Sequence, residues 1–411
     1  MADESPARIT RVVLKNYKSI VSCDVELKPL TILVGPNGSG KSNFVDALRF
    51  VSEALTVGLE QAIRNRGNAR RILSKGRPAG EASFGVTLEF RLDPGGTGQY
   101  SFEIEVLPDG GFMVIRELLR RDEVMFPEGP LLYDIEEDGA TMWANPEIAE
   151  THLLTRDRLH LVGYSGMRAA RPVFDLLSSM AFYNPNTEPM RVVAPTEQVH
   201  HLQPDGRNVA SILRRIQETD PETMWRITTY LSRVLPGLER LEVEDLRGYD
   251  LLIFHQTSPS VGEHWDFTPD QMSDGTLRAL AILVALFQSR MGGKSQVSLV
   301  GIEEPETGLH PAAARILLSA MQDASCTAQV LATTHSADML HMGEVDLDSL
   351  LVVSAEDGVT QLGPIDDVSR SVVSDQVYTI GELLQADQIR PNQVAPAVVE
   401  DTAPARSIGG S

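Results

Sequence analysis

Residues 30–42 read LTILVGPNGSGKS, and this stretch decides the class of fold. Leu30 to Val34 is a short apolar run typical of a buried strand, and Lys41 to Leu55 has the pattern of a helix. Between them, residues 35–42 fit G-x-x-x-x-G-K-[ST], the pattern of a phosphate-binding loop between a strand and a helix. Glycines let backbone N–H groups turn toward a phosphate, and the helix start adds partial positive charge. The stretch therefore predicts an α/β fold with a P-loop.

The pattern also assigns a role to individual residues of this loop. We expect Lys41 to bridge the outer phosphates of a nucleotide and Ser42 to offer its hydroxyl to Mg²⁺. The other residues expected to bind the nucleotide surround these two along the chain: Gly35, Pro36, Asn37, Gly38, Ser39, Gly40 and Asn43.

Two carboxylates follow a second buried strand. Residues 297–302, VSLVGI, are followed directly by Glu303 and Glu304. In an α/β sheet, side chains at the carboxyl ends of strands face the crevice where ligands bind. Glu303 is therefore predicted to hold Mg²⁺, and Glu304 to orient and deprotonate the attacking water.

Two further polar groups fit the same crevice. His335 follows the apolar run 330–332, and we expect it to touch the terminal phosphate. Ser273 and Gly275 precede the apolar helix 277–287, where a hydroxyl and free N–H groups form a second anion-binding helix start.

The rest of the chain predicts a mixed architecture with four parts. Strict alternation at 84–90 and 100–106, followed by a turn at 108–111, predicts an antiparallel meander. We predict an N-terminal part of the nucleotide-binding head (1–140), an inserted, mainly helical region (141–240), a C-terminal part of the head (241–389) and a disordered tail (390–411).

Composition narrows the environment and the partners. With 36 basic and 57 acidic residues the formal charge is −21, so nucleic acid would need a local basic patch. Two cysteines, Cys23 and Cys326, exclude a disulfide scaffold. The longest apolar run, 279–287, is far shorter than the ~20 residues of a membrane span, so we expect no membrane contact and a cytoplasmic location.

As an ordered set, these motifs resemble those of ABC-type ATPases. The similarity is to the branch with SMC proteins, RecF and the OLD-family ATPases, and it covers most of 9–384. It includes the N-terminal NYKSI of residues 16–20 and the acidic EEPETGLHP of residues 303–311. The chain resembles the stand-alone bacterial ATPases of this branch, often called AAA family ATPases.

The resemblance implies a role for each motif. Gly35 to Ser42 corresponds to Walker A, Glu303 and Glu304 to Walker B, and His335 to the switch histidine. Ser273 to Thr276 corresponds to the signature and Gly308 to Pro311 to the D-loop. Family behaviour then implies that ATP and Mg²⁺ are held between two subunits, that ATP binding forms a homodimer, and that hydrolysis to ADP and phosphate releases it.

Some features depart from the family pattern. Asp274 replaces a signature glycine, Glu303 stands where Asp is commoner, and neither Gln61 nor Gln99 is assignable as the Q-loop residue. The segment between Walker A and the signature lacks sustained heptads, so no coiled coil is predicted. The segment after His335 is too short for a Toprim nuclease, so no intrinsic nuclease activity is expected.

The biological output stays open between alternatives. A locally basic stretch either contacts DNA phosphates or is a solvated loop that pairs with acidic surface; its members are Arg64, Arg66, Arg70, Arg71, Lys75 and Arg77. DNA-associated work in repair or phage defence, with a separately encoded effector nuclease, competes with a nucleotide-gated protein switch that never touches DNA. A transporter ATPase is a weaker third reading.

Overall fold

The computed structural model describes residues 6–92, 96–122, 132–136, 139–142, 155–196, 201–257, 262–288, 297–340 and 345–392. Its elements in the first half of the chain are, in order, β1 (Arg8–Tyr17), β2 (Ile20–Glu26), β3 (Leu30–Val34), α1 (Lys41–Thr56), α2 (Leu59–Asn65), α3 (Ala69–Ile72), β4 (Ser83–Arg91), β5 (Thr97–Val106), β6 (Phe112–Asp122), β7 (Leu132–Glu136), β8 (Gly139–Met142), α4 (Leu161–Tyr164), α5 (Arg171–Ser178) and β9 (Ala181–Tyr183).

The elements of the second half continue with α6 (Thr187–Met190), β10 (Ala194–Pro195), α7 (Val209–Thr219), α8 (Pro221–Val234), β11 (Leu238–Asp245), β12 (Tyr249–Thr257), β13 (His264–Phe267), α9 (Asp274–Phe287), β14 (Leu299–Glu303), α10 (Pro311–Ala324), β15 (Gln329–Thr334), α11 (Ala337–Leu340), β16 (Leu350–Glu356), β17 (Val359–Pro364), α12 (Asp367–Ser374) and α13 (Ile380–Gln385).

Most of the predicted site residues follow strands of a six-stranded central sheet. Its order is β17-β16-β3-β15-β14-β9, and all neighbours are parallel except β17 and β16. Val34 lies beside Thr334, and Thr333 lies beside Glu303. The carboxyl ends of β3, β15 and β14 are therefore level, and the segments that follow them begin at one edge.

Both faces of this sheet are covered, which explains the continuous apolar runs in its strands. Leu33 packs into a core shared with α1 and the meander, whereas Ile32 and Val34 pack into a second core shared with α7 to α10. Alternate side chains of a strand point to opposite faces, so a strand buried on both sides needs apolar residues at every position. The predicted α/β class is confirmed.

Two antiparallel sheets flank the central one. The first has the order β2-β1-β4-β5-β6-β7-β8 and contains the predicted meander. Phe84, Val86, Leu88 and Phe90 are all buried on one face of β4, in agreement with the alternation in the sequence. The second joins β10, β12 and β11, with β13 paired to β12.

The range 141–240 contributes to the central sheet. It contains the helices α4 to α8, but its strand β9 pairs in parallel with β14. Ser52 of α1 also donates hydrogen bonds to the carbonyls of Ser178 and Met180 at the start of this strand. The helical segment is thus part of the fold around the site, and the division into parts stays a prediction.

The first three residues of the predicted tail, 390–392, lie within the described residues. Asn392 donates its N–H to the carbonyl of Pro364 at 2.7 Å, so residues 390–392 are held against β17. The rest of the predicted tail, 393–411, lies outside the described residues. In the described parts of the chain, every helix is too short or too polar to cross a bilayer.

A buried carboxylate ties the meander to the helices that follow it. The Glu117 Oε1 atom accepts hydrogen bonds from the hydroxyls of Tyr100 and Tyr133, both at 2.9 Å, and from the N–H of Leu161 at 3.0 Å. Its Oε2 atom accepts the N–H of His160 at 2.6 Å. Four donors thus converge on one fully buried side chain.

Glu117→Gln is expected to destabilise the fold by about 1 to 3 kcal/mol, because an amide NH₂ must face one of these donors and leaves it unpaired. Chemical denaturation measures the free energy of unfolding. Glu105→Gln, the same change on β5, is the control and is expected to have little effect. Equal unfolding free energies for the two variants would contradict this account of Glu117.

Candidate functional site

The loop between β3 and α1 has a shape that glycine alone permits at two positions. Gly40 has φ +106°, and a Cβ there would lie 2.0 Å from Oγ1 of Thr360. A Cβ on Gly35 would lie 2.0 Å from the carbonyl oxygen of Val353. The loop is therefore pressed against the hairpin of β16 and β17, and the sequence pattern 35–42 is a steric requirement of this packing.

A chain of hydroxyls supports the loop from outside. Thr360 donates to the carbonyl of Ser39 at 2.9 Å, and its Oγ1 lies 2.6 Å from Oγ of Ser19. The Asn43 side chain donates to the same Ser19 oxygen at 2.6 Å. Residues far apart in sequence thus fix the start of α1, and sequence reasoning assigned no role at the site to Ser19 or Thr360.

Lys41 lies folded into the loop. Its ammonium donates to the carbonyls of Gly35 and Pro36 at 2.7 and 2.9 Å. Burial lowers the pKa of Lys41, and the negative charges of Glu304 and Glu306 oppose that shift. The Lys41 ammonium, the predicted phosphate-binding cation, thus interacts electrostatically with the carboxylates after β14.

The two predicted Walker B carboxylates have different surroundings. Glu303 Oε1 accepts from Arg49 of α1 at 2.7 Å, and both side chains are partly buried. Glu304 is more exposed and adopts a left-handed backbone with φ +47°. Its N–H donates to the carbonyl and the hydroxyl of Thr333, both at 3.1 Å. Left-handed backbone is uncommon for a residue other than glycine, so this turn depends on its surroundings.

His335 lies beside Glu304 at the same edge. Its Nδ1 is 3.6 Å from Oε1 of Glu304 and 3.8 Å from Oε1 of Glu306. Glu306 is nearly buried, accepts from the hydroxyl of Thr334 at 2.6 Å, and has no partner for Oε2 among the described residues. These side chains line an open cleft of about 580 Å³ that also reaches Thr307 and Asp338.

The residues present fit a nucleotide with Mg²⁺. The loop provides a glycine-dependent cradle, and Ser42 is exposed at the first turn of α1. Among the described residues, no three His, Cys, Asp or Glu side chains form a metal-binding group. Mg²⁺ is usually bound by one or two protein oxygens together with substrate phosphates, and the Ser42 hydroxyl and a Glu303 carboxylate oxygen are groups of this kind.

The predicted signature lies at a capped helix start. Ser273 is exposed, and its Oγ accepts the N–H of Thr276 at 3.1 Å. The Asp274 carboxylate accepts from Arg191 at 2.6 Å and from Thr187 at 2.7 Å. The hydrogen bonds and ion pairs of the described residues include none between Ser273 and the loop 35–42.

The signature touches the predicted D-loop of its own chain. A Cβ on Gly275 would lie 2.8 Å from the carbonyl oxygen of Gly308 and 3.2 Å from Leu309. Gly275 is therefore a contact point between the start of α9 and the turn after Glu304.

The basic stretch 64–77 requires a correction. Arg66 has a side chain only 6% exposed, and it pairs with Asp46 at 2.9 Å and with Glu53 at 2.6 Å. Arg77 donates to the carbonyls of Ser74 and Glu81. The prediction that Arg66 contacts DNA is wrong, because its guanidinium is already paired with the Asp46 and Glu53 carboxylates inside the fold. The exposed members of the stretch are Arg64, Arg70, Arg71 and Lys75.

Residues 30–340 match the protein family described as "AAA domain, putative AbiEii toxin, Type IV TA system". The chain belongs to this family. The chain is 25% identical over 369 residues to the OLD nuclease of Thermus scotoductus, covering 84% of this chain and 64% of that protein. A 44-residue stretch is 50% identical to the chromosome partition protein Smc of Methanocaldococcus jannaschii, covering 10% of this chain and 4% of Smc. The chain thus spans less than two thirds of either relative.

Solved structures of SMC heads share the fold. An SMC head bound to the C-terminal winged-helix domain of ScpA has a TM-score of 0.54 at 16% identity, covering 89% of this chain and 99% of that one. The Pyrococcus furiosus SMC head with an extended coiled coil has a TM-score of 0.52 at 14% identity, covering 90% and 99%. The predicted resemblance to the SMC-, RecF- and OLD-related branch of ABC-type ATPases is confirmed at the level of family and fold.

The structure also brings residues to the site that the motifs did not indicate. Arg49 and Arg278 both contact Glu303, and Glu306 lines the cleft. One signal was available: Arg278 interrupts an apolar helix, and a charge in such a place needs partners. No such signal marks Arg49 in the sequence, because charged residues are common on a helix that faces a sheet edge. No glutamine was assigned as the Q-loop residue; Gln61 is exposed on α2 and bonds Asn65.

Gly40→Ala is expected to weaken binding of a fluorescent ATP analogue at least about tenfold more than Gly38→Ala. Both glycines have positive φ, so backbone strain is common to the two variants. Only at Gly40 does the added methyl collide with Thr360, whereas nothing lies within 4 Å at Gly38. Equilibrium titration measures both affinities. Equal losses would contradict the steric account of the loop.

Proposed function

We propose that the protein hydrolyses the β–γ bond of ATP in a Mg²⁺-dependent reaction, between two copies of the chain, and that this cycle acts as a conformational switch. The observation that carries the proposal is the level ending of β3, β14 and β15, which brings the loop with Lys41 to the same sheet edge as Glu304 and His335. Glu304 and His335 line one cleft there. The family and the fold support the same reading.

Within the site, each side chain has a distinct task. Lys41 stabilises negative charge on the transferred phosphoryl group, since its ammonium already lies within the loop. Glu304 orients the attacking water and accepts its proton, because it is the more exposed of the two adjacent carboxylates. His335, 3.6 Å from Glu304, donates to the γ-phosphate.

Mg²⁺ would be held by Ser42 and Glu303. When bound, it would neutralise charge on the phosphate oxygens. Glu303 is engaged by Arg49 through Oε1, so its Oε2 is the oxygen left for the ion or for a water molecule on it. Arg49 thereby fixes the carboxylate of β14 against the helix that carries Ser42.

Ser273 completes the site of the partner copy. It is exposed at a helix start, and its hydroxyl is hydrogen-bonded to the N–H and the hydroxyl of Thr276 in the same turn. An exposed helix start that carries a hydroxyl suits a phosphate. Binding across two copies would explain how ATP joins them and how loss of the γ-phosphate separates them.

DNA-associated work, in repair or phage defence and with a separately encoded effector nuclease, is the first candidate output. The named relatives are a nuclease and a chromosome partition protein. On this chain the support is limited to Arg64, Arg70, Arg71 and Lys75, because Arg66 lies in an internal ion-pair cluster.

A nucleotide-gated protein switch without DNA contact is the second candidate. Val368 on α12 and Val377 and Tyr378 just after it are all exposed, and the Val377 N–H donates back to the carbonyl of Val372. Exposed apolar groups gathered along one segment favour a protein partner.

Glu304→Gln is expected to bind ATP and remain a dimer while phosphate release falls by at least about a hundredfold, because an amide cannot accept the water's proton. Sedimentation with ATP and Mg²⁺ measures association, and a phosphate assay measures turnover. Glu263→Gln, at an exposed position, is the matched control. Wild-type turnover by Glu304→Gln would show that the role belongs to another residue.

The double variant Arg71→Gln/Lys75→Gln is expected to weaken DNA binding and to lower the slope of log K against log salt by about two, if each residue meets one phosphate. Arg168→Gln/Arg247→Gln removes the same charge from two other exposed positions and is the control. Fluorescence anisotropy at several salt concentrations gives the slopes. Binding by neither wild type nor variant would favour the protein switch.

A further inference from the structure

Arg278 is an unusual residue in its helix. Apart from Asp274 in the first turn, it is the one charged residue of α9, whose other members from Thr276 to Phe287 are all buried. A single charged side chain in an otherwise buried helix is costly unless that charge has fixed partners.

Those partners are backbone groups at the catalytic edge. Arg278 Nη2 donates to the carbonyls of Glu303 and Glu304, both at 3.1 Å, and to Oδ1 of Asn184 at 3.2 Å. Its Nη1 donates to the carbonyl of Pro185 at 2.8 Å. The guanidinium therefore joins the start of α9, the end of β14 and the segment after β9.

The charge of Arg278 is compensated through space. All four hydrogen-bond acceptors are neutral, and burial lowers the pKa of Arg278 while the charges of Glu304 and Glu306 oppose that shift. The same two carboxylates act on Lys41. Arg278 and Lys41 thus share the field of the predicted catalytic carboxylate, although they lie on different helices.

The backbone of Glu304 is strained and held from both sides. Its φ of +47° lies in the left-handed region, which costs free energy for a residue other than glycine and persists only when the surroundings fix it. On one side its N–H donates to Thr333 of β15. On the other side its carbonyl accepts from Arg278. The Arg278 contact thus restrains the peptide that follows Glu304, on the side opposite to Thr333.

We propose that Arg278 is a positioning residue, which holds the main chain of Glu304 in its left-handed conformation and fixes it to the helix that begins at Ser273. The inference rests on the proposed ATPase function, in which Glu304 activates water. It adds that one side chain, Arg278, joins the helix start with Ser273, which is offered to the nucleotide of the partner copy, to Glu304, which acts on the chain's own nucleotide.

The test compares Arg278→Gln and Arg278→Lys with Arg226→Gln. Arg226 is a suitable control because it is also a partly buried arginine of this half of the fold, and it joins α8 to Asp323 of α10 at 2.9 Å, away from the cleft. Steady-state ATPase gives kcat and KM, thermal melting reports the fold, and sedimentation of each variant in the Glu304→Gln background reports ATP-driven association.

We expect Arg278→Gln to lower kcat at least about tenfold with KM for ATP changed less than about threefold, since nucleotide binding does not use Arg278. Arg278→Lys should retain part of the activity, because an ammonium reaches fewer of the four acceptors than a guanidinium. Arg226→Gln should keep the wild-type kcat. Association with ATP should persist in all three.

Two results would overturn the inference: wild-type kcat in Arg278→Gln, or a loss of ATP-driven association that equals its loss of activity. If Arg278→Gln melts far below Arg226→Gln, Arg278→Lys decides, and a folded lysine variant with wild-type kcat also overturns it. Failure of the wild-type chain itself to release phosphate would instead refute the proposed function.

Discussion

The level register of β3, β15 and β14 is the constraint on which the rest of the structure depends. Hydrogen bonding aligns Val34 with Thr334 and Thr333 with Glu303, so three loops of different sequence start at one height. A shift of one residue in β15 would turn the opposite faces of the strand toward each core and move His335 out of line with Glu304. Burial on both faces opposes such a shift, because every residue of β15 is buried.

Charge balance is the second condition of this edge. Three carboxylates, Glu303, Glu304 and Glu306, lie close to the end of an apolar strand, and cations from two helices compensate them. Arg49 and Lys41 come from α1, and Arg278 comes from α9. Each helix therefore packs against the sheet through an apolar face and also contributes a charge at its rim. Packing and the charge balance of the candidate site are linked, since a helix that moved would leave a carboxylate without its partner.

Sequence reasoning reached the parts of the fold that local pattern determines. The apolar runs of β3, β14 and β15, the alternation of β4 to β6 and the loop 35–42 each carry their own signal, and the strand ends then follow from the chemistry of α/β sheets. The supports of the site were beyond reach because they join distant segments: Ser19 with Thr360, Arg49 with Glu303, and Arg278 with Glu304. The same limit left Arg66 open between a DNA contact and an internal ion pair, since composition shows a basic stretch but not the partly buried Asp46 that pairs with it. Strand β9 was missed because three residues are too few for a periodic pattern.

A crystal structure of the chain with Mg²⁺ and a non-hydrolysable ATP analogue tests the central claim most directly. The account predicts a dimer, either within the asymmetric unit or generated by crystal symmetry. The γ-phosphate should lie between Lys41 of one copy and Ser273 of the other, with Glu304 facing that phosphate. A nucleotide bound to a single copy with Ser273 in solvent, or bound away from the end of β3, would contradict the account.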